Sequence, residues 1–366
     1  MPLSAVPRTV PWTGRRRAGC RRATRAAATA VTGALAASLT LAACGSGGSG
    51  GPSGTGGSGA SAKPADCPAQ PTTTWAKPVP GKGTHRVRTA RGEVTVPNRP
   101  RRVVVLDTAE LDSAITLGVT PVGATRSDVA GGFLGYLPKE KVAGIKDVGK
   151  IGAPNLEAVA ALKPDLILTS AVRDGKRYEQ LKAIAPTVMT ETTGYPWKQN
   201  FATHADALGR IPQARQAAAA YEAHAGRVTA ALGGAAAAKR TTTNVVRFVE
   251  GADTRVYGCR SYIGTILNDI GTGPTSVVQN ARDGLMIEVS AEQLNEADAD
   301  ALFYTAYGSP EKSQEKQVTG GALWKNMRAV RNGRAFRVDD ELWIQGIGYT
   351  AAGKILDQVQ EKLAKE

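Results

Sequence analysis

Two stretches of this chain repeat one pattern 135 residues apart, and a chain that repeats itself at that distance is built from two similar halves. The first copy reads Asn155-Leu156-Glu157, continues as AVAALKPD to Asp165, and runs into the apolar segment LILTS. The second reads Ser290-Ala291-Glu292, continues as QLNEADAD to Asp300, and runs into ALFYT. Asn and Ser are good helix N-caps, because their side-chain oxygens satisfy free N–H groups of the first turn. The glutamate then falls in that first turn, where the helix dipole favours a carboxylate by about 0.3–1 kcal/mol. The aspartate marks the turn from helix into the next strand. Taken alone, each glutamate is explained by the dipole. The shared cap, spacing and downstream strand predict two equivalent lobes, each presenting one carboxylate to solvent.

The N-terminus has the composition of an export signal. Residues 1–43 hold seven Arg and no acidic residue, followed by an Ala-rich apolar stretch. A basic n-region, a short h-region and small residues before the cut describe a secretory leader. A membrane span would need about 20 predominantly apolar residues, and this segment is studded with Thr, Ser and Gly. The ending Leu41-Ala42-Ala43-Cys44-Gly45 resembles the bacterial lipobox, which implies cleavage before Cys44 and lipid attachment to it. The expected location is the extracytoplasmic face of the cell membrane. The sequence does not separate Sec from twin-arginine export. Residues 44–82 are expected to form a disordered Gly/Ser/Pro-rich tether. Its Gly/Ser-rich part reaches roughly 25 Å on a random-coil estimate.

Charge and cysteine content narrow the partners. The whole chain carries a net charge of +14, and loss of the seven leader arginines leaves +7. No Lys/Arg run after residue 44 exceeds two. That excludes nucleic acid, which needs a clustered basic face, and suits an anionic small ligand. Of the four cysteines, Cys20 lies in the leader and Cys44 is the lipidation candidate. Cys67 and Cys259 remain as a candidate disulfide in a compartment where disulfides persist. The chain has neither CxxC nor metal-ligand spacing. The three histidines, at 85, 204 and 224, form no nucleophilic set. No G-x-x-x-x-G-K-[ST] is present, so ATP hydrolysis would belong to a partner. The chain is not expected to be an enzyme or to carry a cofactor.

β-like runs alternate with Ala/Leu-rich helical runs, which favours α/β architecture with mainly parallel sheets. Residues 83–211 are assigned to an N-terminal α/β lobe with strands near 103–106, 121–125, 166–169 and 187–190. Residues 239–366 form a C-terminal α/β lobe with strands near 245–249, 301–305 and 334–339 and a final helix near 348–364. The Ala-rich segment 212–238 between them reads as one long inter-lobe helix, separated by Pro212 from a preceding helix.

With these segments in hand, the chain resembles the substrate-binding lipoproteins of ABC importers that serve ferric siderophores and vitamin B12. The resemblance rests on RRVVVLDTAELDSAITLGVTPVGAT, IGAPNLEAVAALKPDLILTS, VYGCRSYIGTILNDIG and MRAVRNGRAFRVDDELWIQGIGYTAAGKILDQV, and it covers nearly all of residues 85–366. It implies a class III periplasmic-binding-protein architecture: two Rossmann-like lobes joined by a single long helix, with ligand held between them. It also implies that Glu157 and Glu292 dock on arginines of a permease dimer, which ATPase subunits drive indirectly, and that the protein acts as a monomer. Charge pairing of that kind favours encounter and register more than raw affinity.

In open α/β sheets the ligand lies beyond the carboxyl ends of the strands. That selects Arg126, Tyr195, Trp197, Arg247, Tyr257, Tyr262, Tyr307 and Trp343 as ligand-binding candidates: aromatic walls for a bulky ligand and forked arginine donors for chelate oxygens. Arg247 interrupts an apolar strand, and the competing reading pairs it with Glu250. The expected ligand is a ferric siderophore, with a hydroxamate favoured. A corrinoid or haem carrier of the same fold is the alternative, and a lipoprotein with a scaffolding or adhesive role is the reading from another class.

Overall fold

A computed structural model describes residues 62–309 and 311–364. The expected leader, Cys44 and the first part of the tether lie outside the described residues. The first strands form an antiparallel hairpin, β1 (Thr84–Thr89) and β2 (Gly92–Pro97). A six-stranded sheet follows: β3 (Val103–Val105), β4 (Gly123–Arg126), β5 (Lys146–Lys150), β6 (Ala153–Pro154), β7 (Leu166–Ser170) and β8 (Thr187–Thr190). Its order is β6-β5-β4-β3-β7-β8, parallel except for β5 against β6. Val103, Val105, Leu166 and Leu168 face one core, while Val104, Ile167 and Leu181 face another. Both faces of the central strands are thus covered, which is why these segments read as unbroken apolar runs rather than as alternation.

The second sheet holds β9 (Thr243–Val249), β10 (Thr254–Tyr257), β11 (Met286–Val289), β12 (Ala301–Tyr307) and β13 (Ala335–Arg337), in the order β11-β10-β9-β12-β13. Strands β9, β12 and β13 are parallel, and β10 and β11 turn back antiparallel. This is the mixed α/β, two-lobed class III architecture.

The repeated aspartates do the same job in each lobe. Asp165 accepts from the backbone N–H groups of Arg101 and Arg102 at 2.8 and 2.9 Å, just before β3. Asp300 accepts from the N–H and hydroxyl of Thr242, both at 2.8 Å, just before β9. Each carboxylate ties the start of one parallel strand to the start of its neighbour. The two helix starts differ. Asn155 accepts from Ala158 N–H at 3.0 Å and caps the α-helix Leu156–Ala161. Ser290 makes no such cap, and Ala291–Ala297 is a 3-10 helix rather than the expected α-helix. The Ser290 hydroxyl turns instead to Gln293 Oε1 at 3.2 Å.

Between the lobes the helix Trp197–Ala207 is followed by the 21-residue helix Ile211–Ala231, which spans about 30 Å. The break falls at Gly209, not at Pro212. Gly209 has φ +61°, and a Cβ there would lie 2.0 Å from Asn98 O, so only glycine fits. Pro212 sits in the first turn of the long helix, where its missing N–H costs nothing. The connector is shorter than 212–238, because Gly233-Gly234 interrupts it before the separate helix Ala235–Lys239.

Two further segments depart from the expected domain limits. Residues 62–82 are ordered against the body rather than disordered. Ser276 N–H donates to Lys63 O at 2.7 Å, Gln70 Nε2 donates to Asp269 at 2.8 Å, and Trp75 packs edge-on against Phe201. Composition turns here from Gly/Ser to residues that can cross-link, and Cys67 is joined to Cys259. The last helix, Tyr349–Leu363, packs on the connector and on the helix Thr108–Thr116 of the first lobe. Its start is capped from that lobe: buried Asp112 accepts from Thr350 and Ala351 N–H, both at 3.1 Å. Gly348, at φ +150°, permits the approach, since a Cβ would lie 2.1 Å from Asp112 Oδ1. No described helix is long and apolar enough to cross a membrane.

Candidate functional site

A cavity of about 700 Å³ opens between the two lobes. The first lobe contributes Val172 and Arg173 after β7 and residues 192–195 after β8. The second contributes Arg247 from β9, Arg255 and Tyr257 from β10, residues 260–263, Asp283 and Leu285, and Trp343, Ile344 and Ile347. A hollow of about 800 Å³ lies on the first lobe alone, where Glu93 and Glu179 offset Arg91, Lys176 and Lys182. The inter-lobe cavity is distinguished by cations and aromatic rings converging from both sides.

Four arginines line it. Arg247 is gripped by Asp340 in a two-point ion pair, Nε to Oδ1 at 2.7 Å and Nη2 to Oδ2 at 2.5 Å, and its guanidinium lies 4.5 Å from the Tyr307 ring. Its partner is therefore Asp340, not Glu250, which instead faces Lys312 at 3.2 Å. Burial works against the Arg247 charge, but Asp340 and Tyr257 more than offset it and hold its pKa above the usual value. Arg173 donates through Nε to buried Asp107 at 2.7 Å. Arg255 faces Glu288 at 3.4 Å. Arg260 lies over the Tyr195 ring at 5.9 Å and makes no ion pair among the described residues. The forked N–H groups of such arginines match carboxylate and other oxygen-rich acceptors.

Of the residues selected from sequence, Tyr195, Arg247, Tyr257, Tyr262 and Trp343 are brought together here. Burial, above all, raises the Tyr257 pKa, so it meets a ligand as a neutral hydroxyl. Tyr262 and Trp343 show the cavity only an edge. The Tyr262 hydroxyl donates to Gly348 O at 2.6 Å, and Trp343 stacks on Phe303 at 4.4 Å while its Nε1–H reaches Gln358 at 2.6 Å. Three candidates fall elsewhere. Arg126 pairs with Asp147 on the neighbouring strand at 2.6 Å and does not line the cavity. Trp197 points into the junction of the lobes, edge-on to Tyr221, Tyr262 and Tyr349, with Nε1–H donating to Thr265 at 2.8 Å. It is core, because the helix it begins packs its first turn inward. Tyr307 lines a separate acidic hollow of about 500 Å³ and supports Arg247 from behind.

Arg173, Arg255 and Arg260 were missed. The carboxyl-end rule could have found Arg173, which follows β7 directly. Arg255 and Arg260 depend on β10 turning back antiparallel, which no local pattern announces. Beneath Arg173 lies a second unforeseen group. Glu110 is fully buried, neither of its carboxyl oxygens has a hydrogen-bond partner among the described residues, and His204 Nε2 faces it at 3.8 Å. Burial first, and then Asp107, push the Glu110 carboxyl up to about 8, while burial pushes His204 down to about 3. Both are therefore neutral at pH 7. Glu157 and Glu292 are exposed, one on each lobe, and neither makes an ion pair among the described residues.

Known proteins are similar to this chain in sequence and fold. The family model for periplasmic binding proteins matches residues 103–342. The probable siderophore-binding lipoprotein YfiY of Bacillus subtilis is 35% identical over 292 residues, 77% of this chain and 88% of the relative. The Fe(3+)-citrate-binding protein YfmC of the same organism is 32% identical over 292 residues, again 77% and 88%. Staphylococcus aureus SirA, solved in complex with staphyloferrin B, superposes with a TM-score of 0.69 at 32% identity, covering 77% of this chain and 99% of SirA. The fold, the cleft and these likenesses agree: the chain belongs to the periplasmic binding protein family, in the class of ABC-importer substrate-binding proteins that serves ferric siderophores and vitamin B12.

Proposed function

We propose that the protein captures a ferric siderophore in the inter-lobe cleft and presents it to an ABC permease. The observation that carries this reading is the convergence of Arg173, Arg247, Arg255 and Arg260 with Tyr195, Tyr257 and Trp343 on one cavity. Guanidinium groups carry only N–H donors and address the oxygens of a chelate rather than the metal, so iron would arrive inside its ligand. Arg260, the one of these arginines that makes no ion pair among the described residues, suits a chelate with an anionic, carboxylate-type oxygen better than the neutral hydroxamate favoured from sequence, since an unanswered guanidinium in a closing cleft is costly. The named ligands of YfmC and SirA, ferric citrate and staphyloferrin B, support that shift.

Relatives named as lipoproteins support export, lipidation at Cys44 and retention at the extracytoplasmic face of the membrane. Glu157 and Glu292 would contact a permease dimer, one lobe to each subunit, with the binding protein acting as a monomer. The family binds and delivers substrates, and no catalytic role is assigned.

The test is titration of the purified protein with ferric complexes of citrate-type, hydroxamate and catecholate chelators, with haem and a corrinoid as controls, followed by tryptophan emission. Tightest binding of the citrate-type complex is expected. Binding of haem or corrinoid alone, seen in its visible absorption, would replace this reading with the alternative carrier role.

A further inference from the structure

Three large apolar side chains are exposed among the described residues: Val172 at 62%, Leu285 at 40% and Leu323 at 44%. A single exposed aliphatic residue is ordinary and calls for no explanation. Val172 and Leu285 are different, because they come from opposite lobes and line the same cavity.

Each is fixed in place beside a cation. Val172 stands between Ser170 at the end of β7 and two anchored neighbours. Arg173 holds Asp107 at 2.7 Å, and Asp174 accepts from Thr169 at 2.6 Å. The backbone is thereby pinned, and the β-branched side chain has little rotamer freedom with which to turn away. Leu285 is held in the same manner on the other lobe. Gly258 N–H donates to Leu285 O and Arg260 N–H to Gly284 O, both at 2.8 Å. Each wall of the cleft therefore offers one aliphatic group next to one arginine, and on the second wall the Asp283 carboxylate, which also lines the cavity, is engaged by the Leu285 N–H at 2.8 Å. A purely hydrophilic anion would satisfy the arginines and leave both aliphatic groups wet. An amphipathic anion would satisfy both.

Resting on the siderophore-binding reading, we propose that Val172 and Leu285 form an apolar rim that selects ferric chelates bearing an apolar substituent. The substituent lies between the two side chains while the anionic chelate sits on the arginines below. Removing these two side chains from water against an acyl group corresponds to about a tenfold gain in affinity.

The experiment compares two ferric complexes of a citrate-derived dihydroxamate chelator, a bare form whose hydroxamates carry only acetyl and an acylated form whose hydroxamates carry a medium-length chain on both arms. They share donor set and charge. Binding is measured on the whole chain carrying Cys44→Ala, so that no attached lipid competes for the rim, and again with Val172→Ser and Leu285→Ser added. The acylated complex is expected to bind about tenfold more tightly. The double substitution, with circular dichroism confirming the fold, is expected to bring the two complexes to within about twofold of each other. Equal affinities in the parent, or an acyl advantage that survives the double substitution, would overturn the rim. A rim that serves the permease instead would show as impaired import with the acyl advantage unchanged, which equally overturns the proposal. Failure of both complexes to bind while another ferric chelate of the titration above binds would overturn the rim and leave the siderophore reading standing, whereas failure of every ferric chelate would overturn both.

Discussion

The two lobes are built on one frame and equipped differently. In both, an aspartate after the repeated helical segment anchors the backbone before the adjacent parallel strand: Asp165 before β3 and Asp300 before β9. In both, a glutamate stands exposed two residues after the cap position. The cleft-facing parts diverge. The first lobe gives the cavity one arginine, Arg173, and the second gives three, Arg247, Arg255 and Arg260. The added cations come with the antiparallel excursion β10–β11, which the first lobe lacks on that side of its sheet. A duplicated frame thus fixes where the lobes stand, while the unduplicated insertions decide what they hold.

Breaking the symmetrical part of the comparison should have the largest effect. Glu157→Arg with Glu292→Arg is expected to abolish import of a radiolabelled ferric chelate while ligand affinity stays as it was, since like charges would then meet at the permease. Each single Gln variant should lose part of the uptake. Normal import by the double reversal would leave the paired glutamates as dipole complements and nothing more.

The asymmetrical part comes next. Arg247→Ala should weaken ferric-chelate binding by about 3 kcal/mol and also lower stability, because it strands Asp340 as a buried charge. Arg260→Ala, which breaks no ion pair, should cost about 1–2 kcal/mol in binding and almost nothing in melting temperature. Isothermal titration beside thermal unfolding separates the two, and equal binding losses with equal destabilisation would contradict the division.

The buried pair Glu110 and His204 sharpens the comparison, since it lies under Arg173 in the first lobe only. Against ordinary values of 4.5 and 6.5, the folded protein holds Glu110 near 8 and His204 near 3. A raised carboxyl contributes stability that is lost as pH rises through its folded value, and a depressed histidine contributes stability that is lost as pH falls below 6.5. Between 4.5 and 6.5 the folded and unfolded chains therefore bind the same number of protons at this pair. Between 6.5 and 8 the folded chain holds one more, so stability should fall by about 2 kcal/mol on raising the pH across that window. Glu110→Gln should remove this fall and leave only the histidine's loss of stability below pH 6.5. Urea midpoints measured from pH 5 to 9 check it, and an unchanged profile would show that Glu110 is ionised throughout.

The smallest expected difference is between the two caps. Asn155→Ala should cost about 1 kcal/mol, because it leaves Ala158 N–H without its acceptor. Ser290→Ala should stay within about 0.5 kcal/mol, because Ser290 caps nothing. Equal shifts in the two melting curves would mean the helix starts are more alike than the 3-10 geometry indicates.

The sequence by itself determined the frame. Apolar runs such as LILTS and TVMT, the cap-and-Asp spacing, and the Ala-rich connector are local signals, and strands covered on both faces or helices with clear starts follow from them directly. The tertiary structure decided what local signals do not carry. Trp197 and Trp343 are both aromatic residues near strand ends, yet one turns into the junction of the lobes and the other floors the cleft. Arg126 and Arg247 both look like strand-borne cations, yet Asp147 holds one outside the cavity and Asp340 holds the other within it. Gly348 matters only because Asp112, 236 residues earlier, reaches across to cap the last helix. Burial, charge pairing and close approach are properties of groups far apart in the chain. They exist only once two lobes, a connector and a returning helix have packed, so the strands could be read in advance and the floor of the site could not.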